Sequence, residues 1–180
     1  MGVKNIRERE EELVSVAFQE LRKIPSLHIL ADNVEHRLGA ISFYVDGIHY
    51  NLIVKLLNDR FGVQVRGGCS CAGTYGHYLL HVSPDQSRLI TEKIDTGDFS
   101  EKPGWVRMSV HPTMTKDEIY LIADAIRQIV ANIDQWKKDY TYSSKNNEFY
   151  HISKNGKEED EIKNWFTMEG KIEETQKATL

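Results

Sequence analysis

The chain has 180 residues, with 23 lysines and arginines against 27 aspartates and glutamates, a formal net charge of −4 and an apolar fraction of 40%. That length supports one well-cored domain with a tail rather than two large domains. The acidic balance excludes the basic footprint of a nucleic-acid binder and a polybasic membrane patch, and no apolar run approaches the roughly 20 residues that cross a bilayer.

The N-terminus is densely charged from Arg7 to Glu12 and does not read as a signal peptide. Two cysteines separated by one residue, Cys69 and Cys71, make a poor disulfide framework, so a cytoplasmic location is expected.

Leu13, Val16, Ala17, Leu21 and Ile24 recur at helical spacing and predict a first helix over Ile6 to Lys23, closed by Pro25. Leu27 to Leu30 is a short strand candidate, and the β-forming run Ala40 to Val45 a second, ended by the turn pair Asp46 and Gly47. A second helix is predicted over Ile48 to Arg60, with Ile48, Leu52, Ile53, Leu56 and Leu57 inward and Gly62 stopping it. Val63 to Val65 then reads as a third strand that delivers Arg66 to a glycine-rich loop.

Ser83 to Gly104 is polar and reads as a surface insertion with one helical turn from Pro84 to Ile94. Trp105 to Val110 alternates, placing Val106, Met108 and Val110 on one face and Arg107 and Ser109 on the other. Thr115 to Glu118 is a capping-box sequence opening the longest helix, whose stripe runs from Ile119 to Trp136. Beyond Asp139 the pattern weakens. Tyr140, Tyr142, Phe149 and Tyr150 are candidates to pin a tail onto the domain, and Trp165 with Phe166 a further anchor. The expected division is a domain over 1–139 and an extension over 140–180 that docks on it, mobile at its end. The expected fold class is α+β, a small mostly antiparallel sheet packed against helices.

The stretch from Phe61 to His81 (FGVQVRGGCSCAGTYGHYLLH) concentrates the chemistry. Cys71 sits among Gly67, Gly68 and Gly73, near Arg66, where a thiol can react as its thiolate; a buried, inert thiol is the alternative. Cys69, Cys71, His77 and His81 are the right ligand types for zinc, but a single residue between thiols is tighter than the usual spacing of about two to four. Arg66 and Arg107 present planar forks suited to the carboxylate of a small acid or amino acid; ordinary surface ion pairs are the plainer reading of each. His28, His36, His49, His111 and His151 have no partners at a convincing spacing.

Three blocks, Arg37 to Phe43 (RLGAISF), Gly62 to Ala72 (GVQVRGGCSCA) and Pro103 to Val110 (PGWVRMSV), occur in order and carry a resemblance. Together they resemble the C-terminal small domain of class V aminotransferases, the fold-type I, pyridoxal-phosphate-dependent group that includes the cysteine desulfurases. The resemblance spans about Ile6 to Trp136. It implies that Arg107 holds the substrate carboxylate, that Arg66 is a second substrate-side arginine, and that Cys71 stands where desulfurases keep their sulfur-accepting thiol. Cys69 and Ser70 stand where the desulfurases closest in pattern carry paired histidines, which leaves transamination open beside desulfuration.

The resemblance also implies pyridoxal 5'-phosphate as cofactor, a small amino acid as substrate and a homodimeric assembly. It implies, too, a preceding large domain that supplies the Schiff-base lysine. The chain is therefore expected to be the substrate-side part of such an enzyme, truncated relative to it and inactive alone. The competing expectation is a stand-alone sulfur- or metal-carrying module using Cys69 and Cys71, and a third is a folded relic without chemistry.

Overall fold

The structure is a computed structural model that describes residues 2–69 and 73–153. Helix α1 (Val3–Leu21) precedes β1 (Leu27–Ile29) and β2 (Ala40–Val45). Helix α2 (Tyr50–Phe61), β3 (Arg66–Gly68), α3 (Gly73–Leu79) and α4 (Pro84–Asp95) follow. The chain continues through β4 (Trp105–Ser109) and α5 (Lys116–Trp136) to a hairpin of β5 (Tyr140–Ser143) and β6 (Glu148–His151).

The main sheet has the order β1-β2-β4-β3 with every pair antiparallel. One face is apolar, as the alternation in β2 and β4 dictates. Ile41, Phe43, Val45, Val106, Met108 and Val110 lie against α1, α2 and α5 and are at most 4% exposed. Phe43 is fully buried, and burying such a side chain stabilises by roughly 1.5–3 kcal/mol. The fold is α+β, a small antiparallel sheet with α1, α2 and α5 packed on its apolar face, as the sequence pattern led us to expect.

Helix α1 turns Leu13, Val14, Ala17, Phe18 and Leu21 inward, while Val16 lies at the margin of the stripe. Helix α5 is closed at its start by the reciprocal Thr115–Glu118 capping box and buries Ile119, Ala123, Ala125, Ile126 and Ile129. Helix α2 ends on Gly62 in the left-handed region (φ 67), whose N–H bonds to the Asn58 carbonyl.

Three expectations are corrected by the structure. The third strand is Arg66–Gly68 rather than Val63 to Val65. The glycines pair there because the space is full: a Cβ on Gly67 would lie 2.6 Å from Asn51 Oδ1 and 3.1 Å from the Tyr50 ring. Gly73–Leu79 is helical, within what read as loop. The insertion holds the 12-residue helix α4, opened by a Ser83–Gln86 capping box. The segment after Asp139 forms a hairpin, with Tyr140 9% exposed and donating to Asp59 Oδ2 at 3.0 Å. Tyr142 and Phe149 meet with tilted rings, 4.8 Å between centroids, at the hairpin's other end near His49, whereas Tyr150 is exposed. Trp165 and Phe166 lie outside the described residues.

Candidate functional site

The face of the sheet turned away from the helices is polar. In the β3–β4 register Arg66 stands opposite Arg107, and in the β2–β4 register Arg107 stands opposite Ser42. Directly opposed residues of an antiparallel pair share a face, with Cβ atoms about 4.5–5.5 Å apart. The row across the sheet is thus Ser42, Arg107 and Arg66. The next row holds Tyr44, Trp105 and Gly68, with His28 stacked on the Tyr44 ring at 4.8 Å between centroids.

Two guanidinium groups side by side repel each other unless an anion joins them. Neither has a carboxylate partner among the described residues: every ion pair of the described chain involves other side chains. Among the described residues Arg107 Nε is buried without a hydrogen-bond partner. A buried donor left unmade costs about 1–3 kcal/mol, so an acceptor placed at this row would be favoured. The row's charge and its forked donors fit a carboxylate or another small oxyanion.

One end of this face is roofed. Trp105 is 5% exposed yet lies outside the main core, and a Cβ on Gly76 would come within 3.2 Å of its ring. Helix α3 therefore sits on Trp105 through a glycine, close to where β3 ends. His77 on the same helix shares a 3.1 Å hydrogen bond between its Nδ1 and Ser87 Oγ, which ties α3 to α4. Cys69 is a half-buried free thiol at the end of β3.

A second polar cluster supports the strand from behind. His49 caps α2, its Nδ1 accepting from the Asn51 N–H at 3.1 Å. Its ring lies 4.5 Å from Tyr50 and 5.3 Å from both Tyr142 and Phe149, measured between centroids. Burial pushes the imidazole below its ordinary value, with the nearby Asn147 amide opposing, and among the described residues Nε2 makes no well-formed hydrogen bond. Asn147 donates to Tyr50 Oη at 2.6 Å and accepts from Tyr142 Oη at 2.9 Å. Tyr50 in turn fits between Gly67 and Gly104; a Cβ on Gly104 would lie 2.5 Å from its ring. The hairpin thus braces the helix that braces β3.

Of the residues singled out in the sequence, Arg66 and Arg107 are brought together. Cys71 lies outside the described residues. The zinc reading finds no group of three or more ligating side chains among the described residues. Ser42, Trp105 and Gly76 escaped sequence reasoning, although a tryptophan on the polar side of an alternating strand was a signal that something covers it. His49 was missed because a capping histidine has no sequence signature as clear as that of Ser or Asp. Among the described residues no helix is long and apolar enough to cross a membrane.

Comparison with known proteins follows this geometry. The family model Aminotransferase class-V matches residues 1–122, more than half of the chain. A probable cysteine desulfurase 2 of Mycobacterium leprae is 38% identical over 73 residues, 40% of this chain and 17% of that protein. A probable cysteine desulfurase of Halobacterium salinarum is 34% identical over 71 residues, and a cysteine desulfurase of Escherichia coli (strain K12 / DH10B) 35% over 72, each aligned over 17% of its own length. The matched part is thus a small fraction of those relatives. A crystal structure of an Escherichia coli cysteine desulfurase in its S-sulfonic acid form superposes with a TM-score of 0.48 at 17% identity, covering 74% of this chain and 27% of that one. The chain belongs to the aminotransferase class-V family.

Proposed function

We propose that this chain forms the substrate-side part of a pyridoxal-phosphate-dependent enzyme acting on an amino acid, with Arg107 and Arg66 holding the substrate carboxylate. The observation that carries the reading is the opposed arginine couple, without a carboxylate partner among the described residues, on the sheet face turned away from α1, α2 and α5. Family membership supports the cofactor class. Pyridoxal phosphate, when bound, supplies the electron sink for chemistry at the amino acid's α or β carbon.

The four strands carry no lysine, so this face fits the substrate's anion rather than the cofactor itself. What the residues of this face do is bind and orient. A carboxylate bridging the two guanidinium groups cancels their repulsion, satisfies Arg107 Nε and fixes the α-carbon over the sheet, next to the roof made by α3. Cys71 is the proposed nucleophile for a desulfurase-type reaction. The reading includes the domain division at residue 139, a large domain as partner, a homodimeric assembly, a cytoplasmic location and inactivity of the chain alone.

The test supplies the pyridoxal-phosphate-binding domain of a cysteine desulfurase relative, in trans or fused, and measures turnover of amino acids. Arg107→Gln is expected to raise KM about tenfold or more, as loss of a charge-assisted bond of about 1.5–3 kcal/mol requires, with cofactor absorbance intact. An unchanged KM removes the assignment. Cys71→Ser is expected to abolish sulfide release from cysteine if the reaction is desulfuration and to spare transamination.

A further inference from the structure

Helix α4 is amphipathic yet buries no residue, and its Leu89 is 55% exposed. Between it and α3 lies a cavity of about 170 Å³, walled by Cys69, Leu80, Ile90, Ile94 and Pro103, with Lys102 on the same lining. Among the described residues the surface of the lining is mostly apolar side chain; of its polar members, Thr91 donates its hydroxyl to the Ser87 carbonyl and His77 has its Nδ1 engaged by Ser87 Oγ. A dry cavity of about 150 Å³ lined by aliphatic side chains is large enough for benzene.

Lys102 is the charged group of this wall. It is half-buried, its ammonium lies 5.3 Å from the centre of the Phe99 ring, and among the described residues it has no carboxylate partner. The neighbouring Lys93 is already paired with Glu101. An apolar hole of ring size beside an unpaired ammonium selects a molecule with two ends. Its body must be apolar and no larger than a single ring or a short branched alkyl group, and its head must be an anion.

We infer that the α3–α4 cavity is a binding site for a small aryl or branched-alkyl carboxylate, the apolar body between Leu80, Ile90 and Ile94 and the carboxylate on Lys102. This site is separate from the arginine row, since Arg66 and Arg107 do not line it. It stands whether or not that row binds an amino acid. A helix from a partner protein is disfavoured by the size of the hole, which admits one ring.

The full-length chain, 15N-labelled, is titrated with benzoate, benzyl alcohol and acetate while backbone amides are followed. Benzoate is expected to shift Cys69, Gly76, Leu80 and Ile94 saturably, and acetate to leave them in place. Lys102→Met is expected to weaken benzoate about fivefold, the loss of one partly exposed ion pair, with benzyl alcohol little changed. Ile90→Trp, which fills the hole, is expected to remove both. The inference is overturned if benzoate shifts only the Arg66 and Arg107 strands, or if Lys102→Met leaves its affinity unchanged. It also fails if the α3–α4 shifts vanish on dilution of the protein, because the site is then a contact between copies.

Discussion

Arg66 and Arg107 face each other across β3 and β4, a pairing of like charges on the sheet face turned away from α1, α2 and α5. An antiparallel sheet does not place two guanidinium groups in register for stability. Directly opposed like charges are destabilising, by roughly 0.2–1 kcal/mol for a cross-strand pair. The arrangement is retained against that cost, which is why it reads as a site.

The first prediction is therefore a trade between stability and binding. Arg66→Gln is expected to raise stability by about 0.2–1 kcal/mol at low ionic strength while weakening carboxylate binding. The gain should shrink as salt screens the pair in the parent protein. Chemical denaturation at two salt concentrations reads both effects. A loss of stability at low salt would show that Arg66 has a partner the row does not reveal.

A second prediction concerns the brace behind β3. The Cβ of Gly104→Ala would fall 2.5 Å from Cε1 and 2.6 Å from Cζ of Tyr50, inside a ring already held between Gly67 and the Asn147 amide. Overpacking of this kind costs typically about 1–3 kcal/mol. Thermal unfolding should show that loss, and weaker carboxylate binding with it, since a displaced Tyr50 shifts the strand that carries Arg66.

The third prediction is a pH dependence centred on His49. Its folded-state value is depressed by burial, so the unfolded chain takes up the proton first as pH falls. Stability from this group is fully present above the unfolded imidazole value of about 6.5 and declines below it. His49→Asn keeps an acceptor for the Asn51 N–H and should flatten the decline between about pH 7.5 and 5.5. If the variant and the parent lose stability in parallel over that range, the imidazole is not the responsible group.

A fourth concerns the hairpin. Burial alone would raise the Asp59 carboxyl, but hydrogen bonds from Asn58 and Tyr140 together with Lys55 hold it below its ordinary value. Tyr140→Phe removes the 3.0 Å bond to Asp59 and is expected to cost about 0.5–1.5 kcal/mol near neutral pH. A depressed carboxyl contributes stability that is lost as pH falls through its folded value. The variant's Asp59 should therefore protonate at a higher pH, moving the acid limb of the stability curve upward.

Much of this architecture was legible because periodicity reports burial. The stripes of α1, α2 and α5 and the alternation of β2 and β4 all follow from which side chains meet the core. What could not be read was pairing and covering. Val63 to Val65 has the better strand propensity, but Trp105 to Arg107 of β4 pairs with Arg66–Gly68, because only glycine fits beside Tyr50 and Asn51 at position 67. Gly76 hid helix α3 for a similar reason: its missing side chain weakens the helical signal and is what lets the helix rest on Trp105. Helix α4 opens on a Ser83–Gln86 capping box but has no buried stripe, so periodicity did not report it. The two arginines could be named from residue type and resemblance. That they form one row with Ser42 needed the register.

The central claim is that the arginine row is one carboxylate-binding unit, and equilibrium titration of the full chain with an L-amino acid and with its methyl ester tests it most directly. Saturable binding of the amino acid, its absence for the ester, and equal loss in Arg66→Gln, Arg107→Gln and the double variant are the expected result. Equal affinity for acid and ester, or losses from the two arginines that simply add, would contradict it.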